Sequence, residues 1–89
     1  MREFKVGDMV IWTDQKWSKV WEEEYKVYLY GKLAKIIYFD SIINTYILEF
    51  KEFINGHDGR LGKDGYCKWA SRHQIESLDH LKLKKILQK

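Results

Sequence analysis

Hydrophobic and polar positions alternate through Thr45-Tyr46-Ile47-Leu48-Glu49-Phe50, so Tyr46, Leu48 and Phe50 share one face of a predicted strand. A shorter β-prone run, at about 8–12, follows the Gly7-Asp8 turn and ends on Trp12. The stretch 28–38 is rich in branched and aromatic residues and carries Gly31 where a strand bends or a neighbouring backbone comes close. Asp40 to Asn44 reads as the connection that makes 28–38 and 45–50 a hairpin. Tyr66-Cys67-Lys68-Trp69 and Gln74-Ile75-Glu76-Ser77-Leu78 supply two more short strands; in the first, Tyr66 and Lys68 face away from Cys67 and Trp69. Five short strands with turn signals between them predict a mainly β domain that closes as a small barrel, because closure removes exposed edges. Phe50 and Trp69 are assigned to its core.

Residues 13–27 break this alternation. Trp17, Val20, Trp21, Tyr25 and Tyr28 recur at nearly helical spacing, Glu22 and Lys26 stand one turn apart, and Thr13 or Asp14 offers an N-cap. A helical or partly helical insertion and a long β-hairpin fit the segment equally, in either case between strands one and two. With Trp12 and Tyr30 added, the rings outnumber what so small a core encloses. Tryptophan and tyrosine dominate interface hot spots, so Trp17, Trp21, Tyr25 and Tyr28 are candidate partner-binding residues. The competing reading is that these rings only pack the insertion onto the barrel.

Eighty-nine residues, 45% of them hydrophobic, suffice for one core and not for two. The domain is expected to span 1–80, with 81–89 as a basic C-terminal tail, helical or frayed. No long uncharged apolar run and no leader-like stretch are present, which predicts a soluble, cytoplasmic protein. The single cysteine, Cys67, cannot form an internal disulfide. The formal charge of +3 is a tail effect: Lys82, Lys84, Lys85 and Lys89 lie beyond the body, whose basic and acidic residues nearly balance. A concentrated basic face, the usual mark of phosphate-backbone binding, is not legible.

The densest local feature is Asn55-Gly56-His57-Asp58-Gly59-Arg60-Leu61-Gly62-Lys63-Asp64-Gly65, with four of the six glycines at every third position. Such a loop can expose backbone N–H groups and present His57, Arg60 and Lys63 to an anion, or it can be a pair of tight turns. It departs from a phosphate-binding loop because five residues separate Gly56 from Gly62-Lys63, where the motif has four, and Asp64 replaces Ser or Thr. It departs from a calcium loop because Arg60 stands two residues after Asp58, where an oxygen ligand is required. His57, Asp58, Arg60, Lys63 and Tyr66 are therefore candidate partner contacts. The spacing of Cys67, His57, His73 and His80 supports neither a metal site nor a Cys–His nucleophile, and the run Glu22-Glu23-Glu24 reads as a solvated face. No cofactor, no metal and no enzymatic activity are expected.

Lys5-Val6-Gly7-Asp8-Met9-Val10, Gly31-Lys32-Leu33-Ala34-Lys35-Ile36, Tyr46 to Phe50, and Cys67-Lys68-Trp69 followed by Ile75-Glu76 resemble small SH3-like barrel proteins over roughly residues 4–78. Gly56-His57-Asp58-Gly59 and Cys67-Lys68-Trp69 are similar to segments of a group of small phage- and prophage-encoded proteins, in which a second tryptophan often stands where this chain has Lys68. The resemblance implies a five-stranded SH3-like barrel of mobile-element origin and little chemistry, since this fold serves many ligands. Joined to the neutral body and the surplus rings, it makes the first expectation a non-enzymatic protein that engages a host protein, as an inhibitor or adaptor in host takeover or anti-defence. Two alternatives are nucleic-acid binding, through the tail lysines with Arg60, Lys63, Lys68 and Arg72, and sequestration of a small nucleotide signal by the glycine-rich loop.

Overall fold

The computed structural model describes residues 4–60 and 62–78. Strand β1 (Met9–Trp12) leads into helix α1 (Gln15–Tyr25), followed by β2 (Leu33–Asp40), β3 (Thr45–Phe50), β4 (Cys67–Ala70), a single 3-10 turn (Arg72–Gln74) and β5 (Ile75–Ser77). The strands form one antiparallel sheet in the order β4-β3-β2-β1-β5. Among the described residues the fold is thus mainly β with one α-helix. Among the described residues β4 and β5 do not pair, so the sheet is not closed into a barrel.

The sheet nevertheless curls. Its two outermost strands lie four strand spacings apart in the pairing order, about 19 Å if the sheet were flat. Ala70 and Ile75 are five residues apart, a reach of about 17 Å even when fully extended, and three of the intervening residues are wound into the 3-10 turn. Only a curved sheet brings these edges within that reach. Its concave face holds Val10 and Trp12 of β1, Ala34 and Ile36 of β2, Tyr46, Leu48 and Phe50 of β3, Ala70 of β4 and Ile75 of β5. The alternation read from β3 places Tyr46, Leu48 and Phe50 together in this core, as expected.

One open alternative is decided and two expectations change. Residues 13–27 hold a helix and no hairpin, and Asp14 is its N-cap: a carboxylate oxygen accepts the Trp17 N–H at 2.9 Å. The helix stops at Lys26, whose left-handed backbone (φ 64°) lets its N–H reach the Glu22 carbonyl, while its ammonium bonds the Glu23 carbonyl. The second strand starts at Leu33 and not at Tyr28, because Tyr28 to Lys32 are spent on a turn in which Lys32 donates to the Leu29 carbonyl and Gly31 takes φ 82°. Trp69 is not in the main core. It lies on the convex face of β4, half-buried, and Trp12 is the tryptophan fully buried inside. The expected tail at 81–89 lies outside the described residues, and among those described no helix is long and apolar enough to cross a membrane.

Candidate functional site

The helix is amphipathic in an unequal way. Ser18 is fully buried, its hydroxyl donating back to the Asp14 carbonyl, and Trp21 packs half-buried against the core with its indole N–H on the Ile54 carbonyl at 2.8 Å. Trp17 and Val20, by contrast, leave 47% and 46% of their surface in solvent. Trp21 and Tyr25, one turn apart, stack with ring centroids 4.0 Å apart. Together with Glu23, Glu24 and Lys68 these side chains line a cavity of about 490 Å³.

Lys68, expected from the sequence only as a surface contact for nucleic acid, is instead a buried member of this site. β4 alternates, so Lys68 shares the concave face with Ala70 and pairs with Leu48 across β3. Only 8% of it is exposed. Its Nζ donates to the Trp69 carbonyl at 2.9 Å and stands 4.5 Å, 4.8 Å and 5.7 Å from the ring centroids of Trp12, Trp21 and Trp17. Three indole faces thus take the place of a counter-ion, since a ring's negative face attracts a cation. Among the described residues the one ion pair joins Lys32 to Glu52, neither of which lines this cavity. Burial holds the Lys68 amine down at about 8, while the Asp14 carboxylate pulls in the opposite direction. The available sequence signal was a lysine at a core-facing register position in a chain rich in tryptophan.

The predicted site residues divide into two sets. Trp17, Trp21 and Tyr25 meet at the Lys68 cavity, but Tyr28 lies outside its lining and packs on Tyr30 at 6.5 Å. Trp12 belongs to the site from below, as the buried floor of the indole cage. His57, Asp58 and Arg60 sit across the sheet, on the convex face beside Ile47 and Trp69. Lys63 and Tyr66 pair with each other, the ammonium 4.4 Å from the ring centroid, and Tyr66 packs edge-on against Phe53.

The glycine-rich loop does not display its N–H groups as an anion cradle. Gly59 donates to His57 Nδ1, Arg60 to the Asp58 carboxylate, Gly62 to the Asp58 carbonyl, Lys63 to the Glu49 carboxylate and Gly56 to the Gly65 carbonyl. The glycines serve close approach. A side chain at Gly56 would place Cβ 2.1 Å from the Cys67 carbonyl oxygen, and one at Gly59 (φ 58°) would meet Ile47 Cγ2 at 2.7 Å. The loop lies flat on β3 and β4, with His57 bridging Cys67. Cys67 beneath it is fully buried, and burial first, then the carboxylates of Glu49 and Asp58, push its thiol up to about 11. A thiol held protonated in this way is a poor nucleophile. Among the described residues no cluster of three or more His, Cys, Asp or Glu side chains is arranged to hold a metal.

Against known proteins, no family model matches the chain, and neither a curated protein nor a solved structure matches it.

Proposed function

We propose that the chain is a non-enzymatic binding domain that engages another protein through the α1 face, a host protein in the phage setting implied by its sequence resemblance. The observation that carries this reading is the cavity bounded by Trp17, Val20, Trp21 and Tyr25, whose outer rings are kept in solvent although the fold has a core to place them in. Exposed tryptophan and tyrosine beside a preformed hollow are the usual ingredients of a hot spot. The position of a bound cation is already filled by Lys68, so the entering group is an aromatic or aliphatic side chain that stacks on Trp17 and Trp21. Glu23 and Glu24 on the rim favour basic residues flanking that anchor. The curled sheet with its short β4 to β5 link further supports an SH3-like barrel as the scaffold, its seam left between those two strands.

The test is capture from a host lysate on the immobilised full chain, with the variants Trp17→Ala and Val20→Glu alongside. A stoichiometric protein partner retained by the parent chain and weakened on the order of 30-fold by Trp17→Ala supports the proposal. Both variants should keep the parental circular dichroism, since neither side chain belongs to the core. Equal retention by parent and Trp17→Ala, or no retention by either, overturns it.

A further inference from the structure

Strand β4 has two edges, and one of them is only partly used. Phe50 donates its N–H to the Tyr66 carbonyl at 2.8 Å, which places that pair among the bonded positions between β3 and the chain entering β4. Bonded pairs recur at every second residue of an antiparallel ladder, so Leu48–Lys68 and Tyr46–Ala70 are bonded as well. The intervening residues, Cys67 and Trp69, turn their N–H and C=O groups to the outer edge. Cys67 satisfies both there: its N–H donates to the His57 carbonyl at 3.0 Å and its carbonyl accepts the His57 N–H at 2.9 Å. Trp69 satisfies one. Its carbonyl accepts the Lys68 ammonium at 2.9 Å, while its N–H has no hydrogen-bond partner among the described residues.

The same bond draws the Lys68 ammonium to that edge. The nitrogen and carbonyl oxygen of one residue are at most about 3.6 Å apart, so Lys68 Nζ stands within about 6.5 Å of the Trp69 nitrogen. An ammonium has three N–H donors, and among the described residues one of them meets an oxygen. The three indole faces attract the charge but bring no oxygen acceptor. Burial lowers the amine only to about 8, so it carries its charge at pH 7. A hollow of about 390 Å³ adjoins the edge, walled by residues 68–71 together with Trp17, Thr45 and Gln74. Among the described residues no carboxylate lines it, whereas Glu23 and Glu24 line the α1 cavity. Its acceptors are engaged, Gln74 Oε1 by the Ser71 N–H and the Trp69 carbonyl by Lys68. Asp14, whose charge reaches Lys68, lies outside the lining, and its two oxygens accept from the Trp17 N–H and the Gln74 amide. The hollow therefore offers donors, and an unpaired donor favours an occupant that brings an acceptor.

We propose that this hollow, beside the link from β4 to β5, binds the carboxylate of an apolar acid. One carboxylate oxygen accepts the Trp69 N–H and the other accepts an N–H of the Lys68 ammonium. A carboxylate spans donors this far apart, since each of its hydrogen bonds adds about 2.8 Å to the separation of its own two oxygens. With one ammonium and no second cation among the described lining residues, the walls match a monoanion and not a phosphate dianion. Trp17, Trp69 and Ala70 supply the apolar part of the wall, and the volume exceeds the ~300 Å³ at which small-molecule pockets begin, so the acid carries an apolar body of about one ring. The same chemistry is offered by a free aryl acid and by the C-terminal residue of a polypeptide. The hollow shares Trp17 and Lys68 with the α1 cavity but not Val20, Trp21 or Tyr25, so the two sites can be tested apart.

The experiment is a titration of the full chain at pH 7, followed by amide and indole resonances. Its ligands are phenylacetate, the neutral phenylacetamide, inorganic phosphate and a trialanyl-phenylalanine peptide with a free C-terminus. Phenylacetate should shift the Trp69 amide and Trp17 indole resonances saturably, with phenylacetamide about tenfold weaker because it lacks the charge. Lys68→Met, which keeps the stem volume, should bring the acid down to the affinity of the amide. Val20→Ala, which changes the lining of the α1 cavity alone, should leave the acid unaffected. A peptide that binds more tightly than phenylacetate assigns the hollow to a chain end; equal or weaker binding assigns it to a free acid. Phenylacetamide binding as tightly as the acid, or Lys68→Met binding the acid as the parent does, would overturn the proposal. Weakening by Val20→Ala as large as that by Lys68→Met would place the ligand in the α1 cavity and overturn it as well. Inorganic phosphate moving the same resonances as strongly would show a bare anion site, with the same consequence. So would the absence of saturable shifts with every ligand, in a chain whose unliganded spectrum is dispersed.

Discussion

Lys68 and Trp69 are neighbours in sequence, yet they belong to two different surfaces, because consecutive residues of β4 point to opposite faces of the sheet. On the concave side a charged amine is enclosed by three indoles and covered by a helix. On the convex side the Cys67 thiol and the Ile47 side chain are covered by a loop made thin by glycine. The first surface reaches burial with large side chains, the second by their omission. One tolerates changes of charge and resists loss of volume, whereas the other resists gain of volume.

The sharpest way to break that contrast is to add atoms to the thin side. Gly56→Ala drives a methyl into the Cys67 carbonyl and should destabilise the domain by about 3 kcal/mol. Gly7→Ala, with nothing within 4 Å of the added carbon and only its φ of 99° to oppose it, should lose about 1 kcal/mol. Urea denaturation of the two variants checks the difference, and equal losses would mean that the loop does not rest on β4 as described.

Removing atoms probes the thick side. Lys68→Ala should destabilise by about 2–3 kcal/mol through the void left among the indoles. Lys68→Met keeps the stem volume and discards a buried charge, so it should be neutral or stabilising. A Lys68→Met variant as unstable as Lys68→Ala would show that the cation, and not the packed stem, holds the three rings together.

The two faces should also respond to pH with opposite sign. Lys68 titrates near 10.5 when unfolded and about 8 when folded. The unfolded chain thus holds the extra proton between those values, and this residue's contribution makes stability rise with pH across that window. Cys67 titrates near 9.0 unfolded and about 11 folded, so the folded chain holds the extra proton and stability falls from 9 to 11. In the parent chain the two oppose each other above pH 9. Denaturation midpoints from pH 7.5 to 10.5 should lose their rising component in Lys68→Met and their falling component in Cys67→Ala. Identical profiles in all three chains would refute both assignments. The smallest effect is expected at the helix cap, where Asp14→Ala should lose about 1 kcal/mol and reduce helical ellipticity, since Asp14 holds the first turn through the Trp17 N–H.

What could be read from the residues depended on whether a pattern has one physical cause. Alternation in β3 has one, burial of a single face, and Tyr46, Leu48 and Phe50 went where it sends them. Alternation in β4 sorts its residues correctly onto two faces but does not say which is inside, because both are covered; Trp69 was therefore assigned to the core in place of Trp12. The start of β2 was obscured because the branched and aromatic residues of 28–32 also suit a turn, and Leu29 is buried without being in a strand. Regular glycines have two causes, exposure of backbone N–H groups and close approach of chains, and only the distances to Cys67 and Ile47 decide for the second. Ring chemistry alone singled out Trp17, Trp21 and Tyr25, which the structure brings to one cavity. The burial of Lys68 among them was not legible, since a lysine is ordinarily a surface residue.

The bonds that tie α1 to the start of the glycine-rich loop set an order of events during folding. Eleven residues are too few to hold a helix in water. The Trp21 indole meets the Ile54 carbonyl and the Asn55 amide meets the Tyr25 carbonyl only after about thirty intervening residues have been arranged into β2 and β3. The helix should therefore consolidate after that hairpin although it precedes it in sequence. Pulse-labelled hydrogen exchange should find β2 and β3 amides protected before those of residues 18–25, and simultaneous or earlier protection of the helix would contradict this order. A partner that recognises α1 would then be recognising a surface that exists only once the β2–β3 hairpin has formed.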